Sequence, residues 1–250
     1  MAMRRTTATG VRDWTLDKWS EQFWKLYGNH DKKRSVILMW LSVAEYASKI
    51  AEDLRRDAFT DFLDHLTHAF AWIVSFVAKC NEDSDISPLF RFTDTPADVV
   101  AFKYPGICGL CANARCACGL VAEVIENVSN KKAKYSHLYG ERKKFLTDNS
   151  GYKAKKVDDW ARMFEKIYGG TVKGLPIEHI AFHFMEEVGE VASAVRRIYE
   201  EKAKFPPDAD QIDSIDKAVK CYENPSAPKE MRRAADLKLT LAVEIADCFS

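Results

Sequence analysis

Almost no stretch of this chain alternates apolar and polar residues with period two, so strands are scarce and the expected class is all-α. Net charge is lacking too. With 37 basic and 37 acidic residues among 250, nothing in the balance favours nucleic acid or an anionic membrane. Apolar runs are short: the longest, such as Ala69 to Ala78, fall well below a bilayer span, and no membrane partner is expected. The opening Met-Ala-Met-Arg-Arg-Thr-Thr has no apolar core of the kind a signal peptide needs. The seven cysteines are an odd number, with four crowded together. They read as reduced thiols and a metal site in a cytoplasmic protein.

What the chain does have is a pair of acidic couplets in apolar helical surroundings: Glu186-Glu187-x-x-Glu190 and Glu244-x-x-Asp247. Residues three or four apart share one helix face, so Glu187 points with Glu190 and Glu244 with Asp247. If the two helices pack together, four carboxylates meet in a partly buried place, where like charges repel and each loses water. A hard divalent cation offsets that cost, since Mg²⁺ takes oxygen ligands and keeps water or substrate phosphate in its other positions. An acidic helical stripe is usually a solvated face. Here the carboxylates interrupt the apolar stripe and recur at the same spacing, which favours a Mg²⁺ (or Mn²⁺) site and a phosphate-handling enzyme.

The chain also repeats itself. Shifted by 141 residues, Leu16–Arg56 matches Val157–Arg197 without a gap. Asp17, Trp19, Phe23, Lys25, Tyr27 and Gly28 recur as Asp158, Trp160, Phe164, Lys166, Tyr168 and Gly169, and Glu45 recurs as Glu186. A duplicated helical unit follows, each copy starting with a helix capped by Gly28 or Gly169 and continuing in a second, longer helix. Four segments are expected: a first unit at 13–80, a connector with cysteines at 81–130, a lysine-rich linker at 131–156, and a second unit at 157–250 with an insertion at 199–230. Within the connector, Asn81 to Gly106 reads as loop, and the insertion as loosely ordered apart from a short helix from Gln211 to Cys221. The repeat predicts a pseudo-symmetric pair with Trp19 and Trp160 in equivalent environments.

The second unit, His183-Phe-Met-Glu-Glu-Val-Gly-Glu-Val-Ala-Ser-Ala-Val-Arg-Arg followed by Glu244-Ile-Ala-Asp247, resembles the MazG-type all-α nucleoside triphosphate pyrophosphohydrolases. That resemblance implies magnesium-dependent cleavage of a (d)NTP to the (d)NMP and pyrophosphate. It implies metal ligation by Glu187, Glu190, Glu244 and Asp247, with Glu186 a supporting carboxylate. It also implies assembly as a homo-oligomer or with a partner protein, so that two fused repeats resemble a pseudo-dimer in one chain. The chain departs from the family in the 53 residues between Glu190 and Glu244, although loop closure becomes costlier only slowly with length. The first unit keeps the frame without the ligands: Tyr46 and Lys49 answer Glu187 and Glu190. Asp61, Asp64, His65 and His68 share a face of its third helix, with His65 and His68 where the second unit has Glu244 and Asp247. They read as a His/Asp metal site or as part of a non-catalytic partner.

The chemistry also stands on the residues alone. Water attacking phosphorus needs charge neutralised, a polarised nucleophile and in-line positioning, which carboxylate-held Mg²⁺ supplies. Arg196 and Arg197 can reach phosphate oxygens or simply complement the helix end. Lys166 and Lys173 read as surface. Trp40 and Trp72 are candidates to anchor a base, or to pack the core. Cys108-x-x-Cys111 and Cys116-x-Cys118 can surround one structural Zn²⁺ as a zinc knuckle between the repeats, with a redox pair as the rival reading. The alternative to an enzyme is a nucleotide-sensing or scaffold protein on the same frame. Nucleic-acid binding is disfavoured because no aromatics interleave with the lysines of 131–156.

Overall fold

The computed structural model describes residues 13–83, 90–108, 113–117 and 150–250, and among them there are helices and no strands. The first unit holds α1 (Leu16–Asp31), α2 (Val36–Arg55) and α3 (Phe59–Glu82), followed by α4 (Pro96–Lys103). The second holds α5 (Val157–Val172), α6 (Ile177–Glu201), α7 (Ile215–Glu223) and α8 (Lys229–Asp247). Short polar side chains start several of these helices by accepting an otherwise orphan backbone N–H: Thr15 from Lys18, Ser35 from Leu38 and Ser214 from Lys217. At α4, Thr95 and Asp98 form a reciprocal capping box with Pro96 in the first turn. Asp57, at φ 53°, turns the chain between α2 and α3.

The helix starts follow the sequence repeat. α1 begins at Leu16 and α5 at Val157, and α2 begins at Val36 and α6 at Ile177, both pairs 141 residues apart. Neither predicted glycine cap is one. α1 runs on to Asp31 through a buried Gly28, and α5 runs on to Val172 through Gly169. A Cβ on Gly28 would lie 3.0 Å from the Trp24 ring, so this glycine makes room for a side chain within the helix. The left-handed turn after α5 falls instead on Gly174, at φ 88°.

α2 packs on both α3 and α6, α1 on α3, and α8 on α6, α7 and α4. One cluster of buried apolar side chains runs through both units, from Trp40, Val43 and Phe76 to Val191, Leu241 and Ile245. α8 is central: every residue from Leu237 to Asp247 is buried, as expected of a helix covered on all sides. Charged groups on it are therefore held inside. Lys238 donates to the carbonyl of Ile212, and its ammonium is pushed down to about 8 by burial.

Two segments are better packed than their composition predicts. Residues 81–106 are not simply loop: α4 lies there, and Phe90, Phe92, Val99, Val100 and Phe102 are in the core. Prolines ended the predicted helices but did not keep apolar neighbours out of the interior. The 199–230 insertion likewise buries Ala209, Ile212, Ile215, Ala218 and Val219, and its helix is Ile215–Glu223, a few residues later than expected. Trp19 and Trp160 are not in equivalent environments. Trp160 is buried beneath Lys155, whereas Trp19 is partly exposed against Trp14, Phe23 and Phe70. The surroundings of α5 are asymmetric in another way too: Tyr104, the C-cap residue of α4, meets Phe164 and Tyr168 edge-on, while α4 itself packs on α8 and α1. Of the lysine-rich linker, all but its last residues lies outside the described residues.

Candidate metal centre

Glu187 and Glu190 lie midway along α6, and Glu244 comes from the last turns of α8. One carboxylate oxygen from each lies within 4.8 Å of the others. Around an octahedral magnesium at 2.0–2.1 Å, neighbouring oxygens are about 2.9 Å apart and opposite ones about 4.2 Å, so the three would draw closer to share an ion. Glu187 and Glu244 are buried while Glu190 is exposed, which leaves one open side. The Oε1 of Glu187 lies 3.2 Å from the Nε2 of His183, and its Oε2 is buried with no hydrogen-bond partner. Burial, reinforced by the charges of Asp247, Glu190 and Glu186, pushes the Glu187 carboxyl up to about 7. A buried carboxylate with an orphan oxygen costs free energy unless something positive meets it. An all-oxygen donor set fits a hard cation.

The other expected residues are placed differently. Both oxygens of the buried Asp247 are engaged, Oδ2 by the ammonium of Lys103 and Oδ1 by the hydroxyl of Tyr104. Burial and the Asp247 charge hold the Tyr104 phenol well above its usual range. Glu186 is exposed, 3.6 Å from Nδ1 of His183, so it flanks the group without facing the other three carboxylates. Arg196 pairs with Glu200 on the solvent side at 3.3 Å, and the Arg197 Nε is buried without a partner. Lys166 and Lys173 are exposed. Trp40 is a core residue whose Nε1 donates to the Val188 carbonyl at 2.8 Å, while Trp72 is half-buried beneath the Arg34 guanidinium.

In the first unit, Tyr46 stacks on His68 (centroids 4.9 Å apart) and lies 5.8 Å from His65. His65 Nδ1 is 2.6 Å from Asp53, and Lys49 pairs with Glu45 at 2.7 Å. Aromatic rings and an exposed ion pair occupy this place, and among the described residues only Glu187, Glu190 and Glu244 group as possible metal ligands. Of the cysteine cluster, Cys111 and Cys118 lie outside the described residues. The Sγ atoms of Cys108 and Cys116 are 3.6 Å apart, and the Tyr168 hydroxyl is 3.7 Å from Cys108 Sγ.

The sequence reading missed Lys103, Tyr104 and the contact of His183. His183 was legible in principle, four residues before Glu187 on one helix face. Nothing in the sequence ties Lys103 to Asp247, 144 residues away.

No family model, no curated protein and no solved structure matches the chain.

Proposed function

We propose that the protein is a Mg²⁺- or Mn²⁺-dependent nucleotide pyrophosphohydrolase of MazG type, cleaving a (d)NTP to the (d)NMP and pyrophosphate. The observation that carries this reading is the buried Glu187, which has an orphan carboxylate oxygen and groups with Glu190 and Glu244. Divalent metal bound there would neutralise phosphate charge and polarise the attacking water. Glu187, Glu190 and Glu244 would hold it, the burial of Glu187 and Glu244 would keep bulk water off the inner side, and the exposed Glu190 side would admit the nucleotide. The first unit serves as the non-catalytic half of a pseudo-dimer. Support comes from the shared helix starts, the packing of α2 on α6 and an antiparallel bridge between Thr15 and Lys156, which are themselves 141 residues apart. A pairing between equivalent positions is what a local two-fold axis produces. Exposed Leu38, Leu41, Ile180 and Phe182 support the expected homo-oligomer or partner protein.

The test is turnover of a nucleotide panel with Mg²⁺ in ¹⁸O-labelled water, with products resolved by mass spectrometry. Monophosphate and intact pyrophosphate, with label on one of them, are expected. Orthophosphate released stepwise with diphosphate accumulating would mean a phosphatase. Nucleotide binding with no turnover would favour the sensing or scaffold alternative, which draws support from the neutralisation of Asp247 by Lys103.

The cysteine segment is proposed as a structural zinc knuckle of Cys108, Cys111, Cys116 and Cys118. Tetrahedral Zn–S bonds of 2.3 Å put sulfurs about 3.8 Å apart, close to the 3.6 Å between Cys108 and Cys116 and far from a disulfide length. Elemental analysis should find about one zinc per chain, and Cys108→Ser should lose it together with stability. A zinc-free native protein that melts unchanged on chelation would remove the knuckle.

A further inference from the structure

We infer that Asp247 is not a metal ligand but the holder of a phosphate-binding lysine, Lys103, supplied by α4 from outside both repeats. The inference rests on the proposed metal-phosphate reading and assigns the place beside the three glutamates to the substrate's phosphate chain. Three observations support it. Both Asp247 oxygens already face donors of this chain, Oδ2 the Lys103 ammonium and Oδ1 the Tyr104 hydroxyl, so its charge is met without a metal. It is not among the carboxylates whose oxygens come within 4.8 Å of one another. The Lys103 side chain, 13% exposed, is nearly out of solvent but stays on the accessible margin, while Asp247 is 7% exposed. An ammonium so placed on a long flexible stem can keep one N–H on the carboxylate and offer another to phosphate without moving its helix.

Charge argues the same way. One divalent ion among three glutamates leaves a net −1, and an unmasked Asp247 would make it −2 in front of an incoming polyanion. Lys103 cancels that added charge and, with one N–H on Asp247, keeps others to offer to a phosphate held beside the three glutamates. α4 is built to hold it there. Its capping box fixes the first turn, Ala97 N donates to Asp17 at 3.0 Å, and Asp98 takes hydrogen bonds from Tyr152 at 2.6 Å and Lys153 at 2.9 Å. At the other end the edge contacts of Tyr104 with Phe164 and Tyr168 wedge the chain against α5. Lys103 is thus the phosphate ligand, and Asp247 and Tyr104 are positioning residues.

The experiment measures binding, not turnover, on the full chain. Mn²⁺ binding is followed by electron paramagnetic resonance, and pyrophosphate binding in the presence of Mn²⁺ by calorimetry. Lys103→Gln should keep Mn²⁺ affinity within about threefold and weaken pyrophosphate by roughly ten- to a hundredfold, the worth of a hydrogen bond to a charged group. Lys103→Arg, which keeps the charge, should recover most of that loss. Asp247→Asn should likewise keep Mn²⁺ while weakening pyrophosphate, whereas Glu244→Gln should lose Mn²⁺ itself. If Asp247→Asn loses Mn²⁺ as Glu244→Gln does, or Lys103→Gln binds pyrophosphate like the parent, this assignment is overturned and the metal-site reading stands. A parent protein that binds neither Mn²⁺ nor pyrophosphate would overturn both.

Discussion

Glu187→Gln should make the metal-free protein more stable, by about 1–3 kcal/mol at pH 8, while cutting nucleotide turnover about a thousandfold. Glutamine keeps the volume and removes the charge. In the folded protein that charge is buried among Asp247, Glu190 and Glu186, and the carboxyl stands at about 7 against 4.5 when exposed. The sign follows from the raised value. The folded state holds its proton more tightly than the unfolded one, so ionisation destabilises the fold increasingly from pH 4.5 to about 7 and fully above that. The gain from Glu187→Gln should accordingly be complete above pH 7 and fade as the pH falls toward 4.5. Urea unfolding at several pH values without metal measures the first effect, and Mg²⁺-supported turnover the second. A site that is strained when empty and needed for chemistry is the usual origin of opposed effects on stability and activity. Wild-type turnover in this variant would remove the proposed site. A fall in stability would mean that His183, 3.2 Å from Oε1, already satisfies the carboxylate.

The helical class and the starts of the first two helices in each unit were legible, because both depend on local periodicity and the fixed 141-residue offset. The grouping of Glu187, Glu190 and Glu244 was legible for the same reason: helical spacing gives the face, and an apolar stripe gives the burial of Glu187 and Glu244, though Glu190 lies exposed. Gly28 shows where local reasoning fails. Tyr-Gly after a helical run reads as a stop, yet the helix continues because the missing Cβ makes room for Trp24, a contact that spacing alone does not reveal. α4 failed differently. Eight residues that are apolar nearly all round show no amphipathic period, and only the Thr95-to-Asp98 capping spacing marked a start. Since Lys103 and Tyr104 lie on and just after α4, the partners of Asp247 were hidden with it. The prolines of the insertion mark chain breaks, whereas Ile212, Ile215 and Val219 carry it into the core.

Replacing Trp40 should have the largest effect on stability, and it tests whether the first unit is part of the site's frame. The ring is buried, packs edge-on to Phe76 with centroids 4.9 Å apart, and donates to the carbonyl of Val188, the residue after Glu187. It therefore ties α2 to α6 beside the acidic group. Trp40→Ala leaves a large cavity and an unmet carbonyl lone pair, at a cost of about 4–5 kcal/mol. Trp40→Phe keeps most of the packing and loses the hydrogen bond, at about 1–2 kcal/mol. One buried cluster includes residues of both units, so unfolding in urea should remain a single transition for each variant, with Mn²⁺ binding lost at the same midpoint as helicity. If the units were independent domains, Trp40→Ala would instead unfold the first alone, splitting the curve and leaving Mn²⁺ on the second. A single shifted transition would mean that the repeat without ligands is retained because the carboxylate-bearing helix needs its apolar wall.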